Sequence, residues 1–463
     1  MEASLNIREL FSAWGVIIIS FLISVIGFLV SRIKRNVNIS WISSVSASIV
    51  ILVFSVLGKA VEDPFQSVLF DNLFFVSALI ISAFSVIAIF LSLAELEYKK
   101  FSSSEFFFFI YLSSLGAILM TSSGDFLTLF LSKELMSFPI YAMVYSFRDR
   151  IGVEAALKYF VAGAIFSLIY LVGFSFFLMS EGTFKIAEPK GILGLFGVYL
   201  VIFALLFKGG TAPFHFWVPD VYQGAPSSAI TFAGPVVKFS SFIALLRVVD
   251  ITKIEFSGPF QILAIISIIV GILGAIPQKE IKRLIAYSSI SHSGFLIFFF
   301  FSIGNIEVKR YFVFYLATYG LATAGIFGVF SLFENKLVYL DKIIGFSTRH
   351  RFISFLLAVF LISFAGIPLT AGFFAKYLSF ISALHTQKII PVLFGAVGSI
   401  ASIYFYFQPV SKAFMEGEAE KGERISINPF SVFLISVLAL ALVFFGVFPE
   451  LFFRLIEGIP LSF

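Results

Sequence analysis

The chain has 463 residues, of which 59% are hydrophobic and only 13% charged, with a net charge of +5. A soluble domain carries roughly 25% charged residues, so the composition excludes one and points to an all-α integral membrane protein. Cysteine is absent, which excludes disulfides, thiolate metal sites and iron–sulfur clusters ligated by this chain. Apolar runs of about 20 residues, the length that spans a bilayer, then follow one another from end to end. They predict fourteen transmembrane helices near 13–31, 40–58, 72–94, 106–123, 125–147, 154–179, 192–222, 227–249, 258–276, 282–301, 308–333, 352–384, 389–411 and 429–450. The first run lacks the short apolar core and small-residue cleavage site of a signal peptide and is expected to be a retained helix. No Gly-rich phosphate loop, dinucleotide fingerprint or nucleophile elbow occurs, so any redox chemistry is expected in other chains. His215, His292, His350 and His385 lie too far apart for a metal motif, and no cofactor, metal or nucleic-acid partner is expected.

The seventh run, within Phe203–Lys238, carries Lys208 and is interrupted at once by Gly209, Gly210 and Pro213. The pattern resumes, leaves through Pro219–Asp220 and Gly224–Pro226, and re-enters with Lys238 midway along the next run. The twelfth run repeats the device: Gly366, Pro368 and Gly372 interrupt it and Lys376 follows. Broken backbone at bilayer depth survives only where protein or a water-filled cavity satisfies its polar groups. If helices four to eight (106–250) form one unit and nine to thirteen (251–415) another, each break falls on the fourth helix of its unit. Five helices per unit make the second enter from the opposite side, the mark of an inverted-repeat transporter. Helices one to three (1–105) and the last (416–463) lie outside both units.

Of the 32 basic residues, 17 fall in loops opposite the termini and 10 on the termini's side. That bias places the richer side in the cytoplasm and both termini outside. The remainder, Lys133, Lys158, Lys208, Lys238 and Lys376, lie within the membrane, joined by Glu134. A lysine at mid-bilayer costs at least ~3 kcal/mol, so such residues are functional candidates. At about 1.5 Å per residue, Glu134, Lys238 and His292 sit near the centre, and Lys376 lies past its break towards the outer side. Lys158, one turn beyond Glu154, is within snorkelling reach of the cytoplasmic interface. The set describes a row along the membrane plane rather than a vertical pore.

Burial penalises a charged amine, and a nearby carboxylate offsets the penalty. Glu134 beside Lys208 is therefore either a switchable proton carrier or a static pair that fixes packing. Lys238 has no obvious local carboxylate, and Lys376 can alternatively snorkel outwards. His292 lies in the polar run Ser288–Ser293, as a hydrated relay or a satisfied core residue. Lys133 points about 100° away from Glu134 around a helix and has no assigned role. His215 suits a structural hydrogen bond or a lateral gate, and Asp220 a turn or cap.

These runs resemble one family: Ser132–Lys133–Glu134–Leu135–Met136–Ser137, Glu154–Ala155–Ala156–Leu157–Lys158–Tyr159–Phe160, the stretch from Lys208 to Pro226, and Lys282–His292. They are similar to the antiporter-like subunits of respiratory complex I (NADH:quinone oxidoreductase), most closely the N type. The lack of a C-terminal extension sets the chain apart from the L type, and lysine at 376 from the M type. By this resemblance Glu134 and Lys208 correspond to the fifth-helix glutamate and its seventh-helix lysine partner. Lys158 corresponds to the sixth-helix lysine, Lys238 to the connecting lysine, His292 to the relay histidine and Lys376 to the exit-side lysine. Lys133 departs from the pattern, which has a small or neutral residue there. The resemblance implies proton pumping coupled to quinone reduction, with NADH, FMN, iron–sulfur clusters and quinone held by partner subunits. It also implies neighbours in the membrane arm, notably the M and K subunits, and a bacterial inner membrane with periplasmic termini. A multisubunit cation/proton antiporter, a membrane-bound hydrogenase and a purely structural scaffold are the rival readings.

Overall fold

The computed structural model describes residues 2–58, 63, 67–98, 103–255, 258–333, 339–416 and 428–457. Helices account for nearly all of them: α1 (Glu2–Lys34), α2 (Val37–Leu57), α3 (Asn72–Tyr98), α4 (Ser103–Thr121), α5 (Phe126–Val144) and α6 (Arg150–Glu181) come first. Next come α7 (Ile192–Lys208), α8 (Trp217–Gly224), α9 (Ser227–Thr252), α10 (Gly258–Ala275), α11 (Ile281–Phe299) and α12 (Ile306–Ser331). The series ends with α13 (Phe346–Arg349), α14 (Arg351–Ala365), α15 (Ala371–Leu384), α16 (Ile389–Phe414), α17 (Pro429–Val447) and α18 (Pro449–Glu457). Among the described residues, twelve helices are long and apolar enough to cross a membrane by length and composition. The two runs expected to be broken are the pairs α7/α8 and α14/α15.

Local chemistry sets the helix ends. Asp125 caps α5 through the Thr128 amide, and Asp149 caps α6 through the Gly152 amide, so each carboxylate satisfies an orphan donor. Gly182 closes α6 in the left-handed region. Asn428 caps α17 by accepting from the Phe430 amide, and Pro429 occupies its first turn, where a missing N–H costs nothing. Among the described residues β structure is limited to isolated bridges, one of which, Asp125–Lys185, ties the start of α5 to the loop after α6.

The core lies where α9, α11 and α12 meet, since these helices are buried along nearly their whole length. Peripheral helices such as α1, α16 and α17 bury much less, and their large apolar side chains face outwards, as lipid contact requires. Two arrangements differ from expectation. Arg247, counted with the outer loops, is buried inside α9, where it grips Asp71 with two bonds of 2.6 and 2.9 Å and also donates to the Thr121 carbonyl. A planar fork meeting a carboxylate makes that burial tolerable. Glu95 of α3 is fully buried, and its oxygens accept from the Ser227 and Ser228 amides at the start of α9. An acidic group at a helix N-terminus faces both orphan donors and the positive end of the dipole. Helices α13 and α18 were not anticipated; α18 lays Phe452 and Phe453 against Phe314 and Phe445. Of the loop charges counted above, Lys59, Lys99, Lys100, Lys336, Lys421 and Arg424 lie outside the described residues.

Candidate functional site

The first break ends α7 on Lys208. Gly209 follows in right-handed geometry and Gly210 in the left-handed region at φ 71°, which glycine adopts without strain. Pro213 lies in the irregular stretch that follows, and α8 begins at Trp217, whose indole donates to the Phe207 carbonyl (3.0 Å). The break frees the Gly209 carbonyl. Lys238, midway along α9, donates to it at 3.0 Å and also to the Ser289 carbonyl (2.8 Å) and the Ser293 hydroxyl. Ser293 in turn donates to Gly209. Lysine and broken helix thus satisfy each other, which a buried amine and an orphan carbonyl both need.

The second break uses the same device. Gly366 ends α14 at φ 79°, Pro368 lies in the following turn, and Lys376 on α15 reaches back to the Ala365 carbonyl at 3.0 Å. Its amine also donates to the Ser402 hydroxyl on α16 at 3.4 Å and lies over the Phe295 ring. Lys376 is buried and does not reach the surface, so the snorkelling alternative fails.

His292 joins the two. It is buried on α11, with its Nδ1 2.8 Å from the Tyr315 hydroxyl and its Nε2 3.3 Å from that of Tyr406. Tyr406 also bonds Ser288, and it sits one turn beyond Ser402, the partner of Lys376. Ser289, His292 and Ser293 share one face of α11, so contacts run from Lys238 through α11 to α16 and Lys376. Tyr319 extends the set: it donates to Ser289 Oγ and lies 3.3 Å from Tyr222. A cavity of about 20 Å³, lined in part by Lys208, Lys238, Tyr159, Tyr222 and Ser289, connects the two lysines and has room for one water.

Lys208 departs from expectation. Its amine donates to Tyr159 (3.1 Å) and Tyr141 (3.3 Å) and faces both rings, and among the described residues no carboxylate lies within ion-pair distance. Glu134 instead pairs with Lys133 and accepts from Ser167 at 2.5 Å. The 100° step between Lys133 and Glu134 is overcome because the flexible lysine stem curls back over its neighbour. Lys158 is half exposed rather than buried, held by Glu154 (2.7 Å) and Asp220 (2.8 Å). Asp220 is more than a turn residue, since it also accepts from Arg283 of α11 at 2.8 Å and so links α6, α8 and α11. His215 lies half-buried in the first break, while His385 is exposed at the end of α15 and His350 sits between α13 and α14.

The sequence reading missed the tyrosines at 141, 159, 222, 315, 319 and 406. Tyr315 and Tyr319, one turn apart on one helix face, were the available signal.

Residues 123–402 match the family model described as NADH:quinone oxidoreductase/Mrp antiporter, transmembrane. The chain belongs to that family. The matched span runs from just before α5 into α16 and includes Glu134, Lys208, Lys238, His292 and Lys376. The NADH-quinone oxidoreductase subunit N of Bdellovibrio bacteriovorus is 36% identical over 370 residues, 75% of each chain. Among solved structures, a chain of respiratory complex I from Thermus thermophilus with bound aureothin superposes with a TM-score of 0.81 at 29% identity, covering 94% of this chain and 98% of that one. A chain of the archaeal membrane-bound sulfane sulfur reductase has a TM-score of 0.83 at 22% identity, covering 96% and 95%, and shares the fold. The antiporter family's transmembrane fold is therefore the fold of this chain, a multi-pass membrane protein.

Proposed function

We propose that this chain is the N-type, proton-translocating subunit of a bacterial NADH:quinone oxidoreductase. The observation that carries the reading is the paired device at the breaks: a buried lysine docked on the carbonyl that each interrupted helix frees. Lys238 and Lys376 are linked by Ser289, His292, Tyr406 and Ser402. Such groups, joined by hydroxyls and imidazole, can pass protons along the membrane plane. Protons enter from the cytoplasm to the Lys208–Lys238 region, pass His292 and leave from Lys376 to the outside. Lys158, at the exposed Asp220 cluster, belongs to the cytoplasmic mouth. Gly209, Gly210, Pro213, Gly366 and Pro368 are the hinges, within two inverted five-helix units (106–250 and 251–415).

The redox chemistry lies elsewhere in the complex. NADH, FMN, iron–sulfur clusters and quinone belong to partner subunits, and this chain supplies no redox centre. Its neighbours are other membrane-arm subunits, notably M and K, in the inner membrane with both termini periplasmic. The driving signal reaches Glu134 and Lys208 from a neighbour's charge. In vesicles carrying the assembled complex, Lys208→Ala and Glu134→Ala are expected to abolish proton pumping and coupled quinone reduction. Full pumping in both variants overturns the reading.

A further inference from the structure

We propose that Lys133 is a competing partner for Glu134, so that the carboxylate passes between Lys133 and Lys208 as protons move. This rests on the role given above to Glu134 and Lys208. Lys133 and Glu134 are neighbours on α5, yet they meet, and Ser167 on α6 closes a triangle with them. The Lys133 amine donates to Ser167 at 2.7 Å, and Ser167 donates to Glu134 at 2.5 Å. The amine also lies over the Phe130 and Tyr170 rings and is almost wholly buried, with 4% of its side chain exposed. Nothing about this lysine is a solvated surface charge.

Lys208 is its counterpart. It too is buried, but its partners are the hydroxyls and ring faces of Tyr141 and Tyr159, all neutral. Of these two buried cations, Lys133 holds the carboxylate and Lys208 does not. Glu134 and Tyr141 lie on the same face of α5, two turns or about 10 Å apart. Two long side chains, swung towards each other, cover much of that gap. Glu134 is also the least enclosed of the three, with 18% of its side chain exposed, so it has room to turn.

The third group matters because a lone buried ion pair resists opening. Separating it leaves two bare charges in a low-dielectric interior. With Lys133 present, Glu134 leaves one amine only to meet another. When all three groups are ionised the trio carries one net positive charge in either arrangement, so the exchange relocates that charge without stranding the carboxylate. Ser167 stabilises one end of the exchange, and the two tyrosines hold Lys208 while it waits.

The test uses Lys133→Gln in the assembled complex. Its structure is expected to show Glu134 within ion-pair distance of Lys208, with Lys208 withdrawn from Tyr141 and Tyr159. Glu134 still seated on Ser167 overturns the proposal. In vesicles, pumping by Lys133→Gln is expected to fall about tenfold, within the usual range of a coupling free energy, and Lys133→Arg to restore it. Wild-type pumping by Lys133→Gln overturns the proposal as well. Should that variant fail to assemble, Ser167→Ala, which loosens the same pair, is expected to turn Glu134 the same way, and an unmoved Glu134 overturns it. Glu134→Gln in the same vesicles separates the two claims. Normal pumping there sinks the underlying role of Glu134, whereas a dead Glu134→Gln beside a normal Lys133→Gln sinks only the competition.

Discussion

Buried cations in this protein are stabilised in three chemically different ways, and each has its own cost of removal. Arg247 and Lys133 rest on carboxylates, Lys238 and Lys376 on carbonyls freed by broken helices, and Lys208 on hydroxyls and aromatic faces. The Arg247–Asp71 pair is asymmetric, with 1% of the arginine side chain exposed against 22% of the aspartate's. Asp71 can find water when its partner goes, while the buried guanidinium cannot. Asp71→Leu is therefore expected to destabilise the protein by about 3 kcal/mol, the lower end for breaking a buried pair. Arg247→Leu is expected to cost clearly less. Thermal unfolding of this chain in the purified complex checks the order, and equal losses in the two variants would contradict it.

At the scale of elements, the two breaks place lysine against carbonyl, and glycine makes the second one possible. Gly366 holds φ 79°, and a Cβ there meets the Lys376 Cδ at 2.9 Å. Gly182, at φ 68°, would place a Cβ in open space. An alanine at either site pays the left-handed strain of about 1–2 kcal/mol, but only the one at 366 also pushes on Lys376. Gly366→Ala is thus expected to lower proton pumping severalfold, while Gly182→Ala lowers the melting temperature alone. Similar pumping in the two variants would show that the contact with Lys376 does no work. The breaks themselves were legible because glycine and proline interrupt an apolar run with a chemistry of their own. What those breaks bind was not legible: Ser289 and Gly209 come together only once α9 and α11 pack. The curl of Lys133 escaped for a related reason, since helical angle fixes where a side chain starts and not where a long stem ends. The tyrosines were hidden among 65 phenylalanines and 16 tyrosines until α12 and α16 brought three of them to the face of α11 that carries His292. Helix α18 escaped because it is short and amphipathic rather than long and apolar.

For the molecule as a whole, α9 packs along α12 and reaches α11 through Lys238, so the two candidate units share one interior. A shared interior is compatible with either orientation in the membrane, and the loop charges supply the expectation to test. With Arg247 left out because it is buried in α9, the count of seventeen basic residues against nine still favours cytoplasmic placement of the loops opposite the termini. The absence of cysteine makes this chain well suited to a direct check. Lys279 follows α10 and Lys190 precedes α7, both are exposed, and the charge count puts them on opposite sides. In intact cells, a membrane-impermeant thiol reagent is expected to label Lys190→Cys and to leave Lys279→Cys untouched. In inverted vesicles the pattern is expected to reverse, because the cytoplasmic face is then outward. Labelling of this chain is read after separating it from its partners by gel, so cysteines in other subunits do not interfere. The opposite pattern would turn the protein over in the membrane and, with it, the direction assigned to the proton path from Lys208 to Lys376.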